Sequence, residues 1–94
     1  MNRKREKTEI VHDILQVIRD RRKVRPTHIL YKSNLSHKMF LDYIKELTEK
    51  DLITETTDKK GIRLYELTEK GHKYLNEYAA IKEFMDSYGL NQEN

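Results

Sequence analysis

Ninety-four residues are enough for one small domain and too few for two. The chain has no cysteine, which excludes a disulfide framework and a thiolate metal site. No apolar run approaches the length of a membrane span and the N-terminus lacks the apolar core of a secretion signal, so a cytoplasmic protein with no membrane partner is expected. The net charge is +3, and it is unevenly placed. Residues 1–25 carry nine Lys and Arg against four Asp and Glu, whereas residues 26–94 carry ten against twelve. A basic N-terminal quarter on a near-neutral body points to a polyanion partner.

Taken in order, residues 1–7 (MNRKREK) form a basic leader with nothing to bury. Thr8 is placed to cap a helix running to about Asp20, with Ile10, Val11, Ile14, Leu15 and Ile18 as its apolar stripe. Arg19–Arg25 (RDRRKVR) reads as a basic connector, ended by Pro26, which no helix can run through without losing a hydrogen bond. Thr27 is then placed to cap a short helix, Thr27–Ser33, that buries Ile29 and Leu30. Asn34 suits a left-handed turn. Ser36 can cap a third helix. Leu35 and Phe40 are spaced as a hydrophobic staple, and Phe40, Tyr43, Ile44 and Leu47 recur at three- and four-residue steps on one apolar face.

The periodicity then changes. Leu52–Thr57 and Ile62–Leu67 read as two strands, with Ile62, Leu64 and Leu67 expected to pack inward. Asp58–Gly61 forms the turn between them, Gly61 supplying positive φ. Thr68 caps a last helix that runs to about Tyr88 and stops at Gly89. This helix is longer than a domain of this size needs. Tyr74, Tyr78, Ile81, Met85 and Tyr88 follow steps of four and three, a heptad seam. The helix can fold back on its own domain or pair with a second copy. Nothing else in the chain remains to cover the seam, so these five residues are expected to form a homodimer interface.

The third helix, pinned along one side and polar on the other, has the build of a DNA recognition helix. Ser36, His37, Lys38, Leu41, Asp42 and Lys45 are the residues able to face a major groove, all but Asp42 being candidate DNA contacts. Lys can donate to guanine edges, and Leu41 can meet a thymine methyl. Asp42, Glu46 and Glu49 make the same helix electrically mixed; Glu46 and Lys50 are spaced to pair along it. Two basic clusters flank it in sequence: Arg21, Arg22, Lys23 and Arg25 before the second helix, with Thr27 and His28 at its start, and Lys59, Lys60 and Arg63 at the turn. Each is a candidate phosphate contact.

His12, His28, His37 and His72 show no metal-ligand spacing. Three glycines form no phosphate loop, and no nucleophile-and-base arrangement is evident. Neither catalysis, cofactor nor metal is expected, and no small-molecule ligand is evident from the sequence.

The order helix, helix-turn-helix, hairpin, long helix is that of a winged helix. KDLITET resembles the segment leaving a recognition helix for the wing, and LYELTEKGHKYL resembles the second wing strand running into the last helix. With HDILQVI and the NLS–Tyr43-Ile44 segment, most of Glu9–Tyr88 resembles the small archaeal winged-helix DNA-binding proteins that dimerise through a C-terminal antiparallel coiled coil. The resemblance implies an α+β, mainly α, winged helix-turn-helix over residues 8–73. It also implies a dimerisation helix over 74–90, here followed by a short tail over 91–94. The function implied is binding of double-stranded DNA as a homodimer, as a transcriptional regulator or a nucleoid-associated architectural protein. The alternative is a winged helix that docks on another protein within a larger transcription or replication assembly.

Overall fold

The computed structural model describes residues 6–89; residues 1–5 and 90–94, with most of the leader and the whole of the tail, lie outside the described residues. Helix α1 (Lys7–Arg21) buries Ile10, Val11, Ile14, Leu15 and Ile18, the stripe read from the sequence. It starts before Thr8, however. Glu6 is the N-cap, and its backbone N–H donates to Glu9 Oε1 at 3.0 Å. A carboxylate three residues on thus satisfies the cap amide from the side opposite to a hydroxyl cap. Lys7 consequently belongs to the helix and not to a leader.

The stretch expected to be a connector contains the last turn of α1, then Arg22 at φ 68°, then strand β1 (Lys23–Val24). Val24 is the single apolar residue between Asp20 and Pro26, and an extended backbone lets it reach the core, where it is 4 % exposed. A strand of two residues has no alternation to read. Helix α2 (Pro26–Ser33) corrects the expected cap: Arg25 is the N-cap and Pro26 the first helical residue, so Thr27 lies inside the helix. Proline suits that position, because its φ is preset and its missing N–H would have had no partner. Ile29 is fully buried and Leu30 half-buried. Asn34 closes α2 in the left-handed region, φ 55° and ψ 51°.

Helix α3 (His37–Glu49) starts at Ser36, whose hydroxyl accepts the Met39 N–H at 3.2 Å. Phe40, Ile44 and Leu47 are buried and Leu35 packs with them in the core. Strands β2 (Ile53–Thr57) and β3 (Arg63–Leu67) make the hairpin, and β1 adds to the other side of β3, giving an antiparallel sheet in the order β1-β3-β2. Here the inward face differs from expectation. Tyr65 and Leu67 are buried, while Ile62 and Leu64 stand half-exposed on the opposite face. Val24 faces Tyr65 across the ladder, so the third strand selects which side of β3 meets α1.

Helix α4 (Glu69–Ser87) is capped by the Thr68 hydroxyl, which accepts the Gly71 N–H at 3.0 Å, and is followed by Gly89 at φ 68°. Its first turns cross α1 and bury Leu75. The core is therefore built around α1, with Ile14, Leu15 and Ile18 at 0 % exposure.

Candidate nucleic-acid interface

The face of α3 opposite Phe40, Ile44 and Leu47 is open: His37, Lys38, Asp42 and Lys45 are exposed and Leu41 is 50 % exposed. Lys38 Nζ sits 3.0 Å from Asp42 Oδ2, one turn along. Glu46, on the flank, takes two ammonium groups on Oε2, Lys50 at 2.6 Å and Lys7 at 2.7 Å. Hydrogen bonds from Lys50 and then Lys7 hold its carboxyl at about 2. The Glu46–Lys50 pair follows from the sequence spacing. The Lys7 contact joins the start of α1 to α3, and no local spacing reveals it.

At the hairpin, Asp58 organises the tip. Its Oδ1 accepts the N–H groups of Lys60 and Ile62, each at 2.9 Å, and Gly61 takes φ 80°. Lys59 and Lys60 are thereby held exposed on a short, fixed turn. Arg63 stands differently: its Nε donates to Glu55 Oε2 at 3.1 Å. Tyr65 donates its hydroxyl proton to the other oxygen of Glu55 at 3.2 Å. Burial raises the Tyr65 phenol pKa above its ordinary value, and the Glu55 charge adds to the rise.

The other basic cluster is partly gathered. Arg21, Lys23, Arg25, Thr27 and His28 line one open cleft of about 630 Å³, with Val24, Tyr31 and Leu64 completing it. Arg22 does not line this cleft. Val24 and Tyr31 carry no expectation from the sequence, and Leu64 is expected in the core and not in this cleft. Tyr31 lies three and four residues beyond His28 and Thr27, a helical spacing that puts it on the same exposed face of α2.

The seam residues of α4 divide into two sets. Tyr74 and Tyr78 are half-buried against their own chain, Tyr78 stacking on His12 of α1 with ring centroids 4.3 Å apart. Ile81 and Tyr88 are exposed, at 60 % and 67 %, and Met85 is half-exposed between them. Phe84, also 60 % exposed, joins this stripe and packs its ring 4.9 Å from that of Tyr88. Within one chain the overhang begins at Ile81 and not at Tyr74.

No group of three or more metal-ligating side chains occurs among the described residues, and none of their helices is long and apolar enough to cross a membrane.

The winged helix-turn-helix family profile matches residues 4–86. The chain belongs to this family. The winged-helix resemblance carried by KDLITET and LYELTEKGHKYL therefore holds at the level of family and fold. Among solved structures, the winged helix is similar to Sso10a-2, a DNA-binding protein from Sulfolobus solfataricus, with a TM-score of 0.71 at 23 % identity, covering 96 % of this chain and 100 % of that one. It is also similar to MepR, a transcription regulator of the Staphylococcus aureus multidrug efflux pump MepA, with a TM-score of 0.76 at 16 % identity, covering 90 % of this chain and 64 % of that one. The PcaV transcriptional regulator from Streptomyces coelicolor gives a TM-score of 0.76 at 15 % identity, covering 84 % and 60 %. The winged helix thus spans less than two thirds of these two regulators. Comparison with curated proteins found no match.

Proposed function

We propose that this winged helix binds duplex DNA as a homodimer, reading the major groove with α3 and gripping phosphates with the hairpin tip, in a regulatory or nucleoid-architectural role. The observation that carries the reading is the fixing of α3. Phe40, Ile44 and Leu47 hold it from behind, Ser36 caps it, and Lys38, Leu41 and Lys45 are exposed on the other side. Rigid mounting of a polar helix face is what groove reading requires. Lys59 and Lys60 on a fixed turn, with Arg21, Lys23 and Arg25 before α2, supply phosphate contacts. Sso10a-2 is a DNA-binding protein, and a MepR variant is solved bound to an oligodeoxyribonucleotide. The exposed stripe Ile81, Phe84, Tyr88 would close the dimer. No catalytic role is proposed.

The alternative is docking on another protein, and one observation favours it. Lys38 is tied to Asp42 and Arg63 to Glu55, which lowers the positive potential of this surface, while Met39 and Leu41 are exposed on α3.

A mobility shift with random duplex separates the two readings. With ~6–10 phosphate contacts per dimer, affinity falls ~10³–10⁵-fold between about 50 and 200 mM salt. The double change Lys59→Glu and Lys60→Glu removes the shift and leaves the fold intact. Absence of binding even below about 50 mM salt favours protein docking.

A further inference from the structure

The cleft beside α2 holds more than phosphate contacts need. We propose that it is a nucleotide site, taking an aromatic base together with its phosphates, supplied by a free nucleotide or by an unpaired residue of a nucleic-acid strand. This goes beyond the duplex reading and is tested separately from it.

The first reason is charge. Lys7, Lys38, Lys50, Arg63 and Lys82 all have carboxylate partners. Arg21, Lys23 and Arg25 line the cleft with no salt bridge among the described residues, although Lys23 lies across the ladder from Glu66. Three uncompensated cations around one concavity raise the local concentration of a multiply charged anion.

The second reason is the aromatic ring. Tyr31 is 84 % exposed and contributes nothing to the core. It stands at the cleft with Thr27 and His28 on the same face of α2. An exposed ring beside cations is the combination that holds unstacked bases, because every base offers a π face.

The third reason is shape. Val24 and Leu64 give the cleft an apolar part, and its volume of about 630 Å³ lies within the roughly 300–1,000 Å³ of small-molecule sites. A duplex keeps its bases stacked inside, so it can offer the apolar part and the ring only sugar and phosphate and no base face. A nucleotide uses both, with its phosphates on the arginines.

The test is titration of the full chain, followed by amide NMR, with adenosine diphosphate, ribose phosphate and a single-stranded hexanucleotide. Saturable shifts confined to residues 21–31 and Leu64 are expected, with ribose phosphate at least about tenfold weaker than the diphosphate. Tyr31→Ala weakens binding about tenfold, and Tyr31→Phe stays within about twofold. The Lys59→Glu, Lys60→Glu protein, which fails on duplex, binds the nucleotide as the parent does. Saturation by the diphosphate identifies a free nucleotide as sufficient; saturation by the hexanucleotide alone assigns the site to a strand. The proposal is overturned if neither saturates, or if Tyr31→Ala binds as the parent. Equal binding of ribose phosphate, or shifts spread over α3 and the hairpin tip, overturns it as well.

Discussion

The carbonyl oxygen of Leu52 fills the space that a β-carbon on Gly71 would occupy. That carbonyl also accepts the Thr68 N–H at 3.2 Å, while the Leu52 N–H donates to Leu47 O at 2.9 Å. One residue, through its two flanking peptides, therefore joins the end of α3, the start of β2 and the first turn of α4. Gly71 is the residue that lets α4 lie so close. The obstructing atom is backbone and cannot rotate away, so Gly71→Ala is expected to destabilise the domain by about 1–3 kcal/mol. Thermal unfolding should show a Tm lower by roughly 4–8 °C per kcal/mol. An unchanged Tm would mean that α4 does not approach β2 this closely.

Glu46 ties α1 to α3, and its depressed carboxyl pKa gives the tie a pH signature. A carboxylate lowered to about 2 from an ordinary value of ~4.3 contributes stability that is present above that ordinary value. The contribution disappears as pH falls through about 2. Glu46→Gln should therefore weaken the domain at neutral pH and flatten the acid limb of urea midpoint against pH. The pair is solvent-accessible, so its effect should also shrink with added salt. Parallel acid limbs for the two proteins would show that Lys7 and Lys50 do not hold Glu46 in solution.

What the sequence made legible follows from range. Ser36, Thr68, Asn34 and Asp58–Gly61 act within four residues, and each does what its chemistry predicts. Long stripes were equally readable, as α1 and α3 demonstrate. Two errors are local, since Glu6 and not Thr8 caps α1 and Arg25 and not Thr27 caps α2; the others lie where a distant partner decides. Val24 becomes a strand because Tyr65 is opposite it, and that pairing turns Leu64 outward. The Lys7–Glu46 contact spans 39 positions. Tyr78 has the spacing of the overhang, yet its ring stacks on His12 of α1. In the candidate site, cations were identifiable by type, whereas their gathering into one cleft with Tyr31 required the fold.

Glu55 restrains Arg63, and releasing it should strengthen duplex binding if the hairpin takes part. Glu55→Gln removes a carboxylate that both pairs with the arginine and repels phosphate. Duplex affinity should rise several-fold, and the slope of log affinity against log salt should steepen by about one ion per subunit. The same change should lower the Tyr65 titration toward, but not to, its ordinary value, because burial is the larger cause of its rise. A pH titration of the assigned Tyr65 ring resonances by NMR reads this, separately from the other five tyrosines. If affinity and slope both stay fixed, Arg63 faces away from the DNA.

The overhanging stripe sets the strength of any dimer. Ile81, Phe84, Met85 and Tyr88 share one face of α4 at helical spacing, and seven steps at 1.5 Å each make the stripe only about 10 Å long. That is short for a coiled coil, so a dimer closed by this stripe should dissociate on dilution. Ile81→Lys with Phe84→Lys changes side chains that are already 60 % exposed in one chain. These changes should leave Tm nearly unaltered at low concentration while producing a monomer in sedimentation. Tyr74→Ala should act in the other order, lowering the stability of the single chain because Tyr74 packs on the core. A lysine double variant that still sediments as the parent does would show that α4 is not the dimer seam.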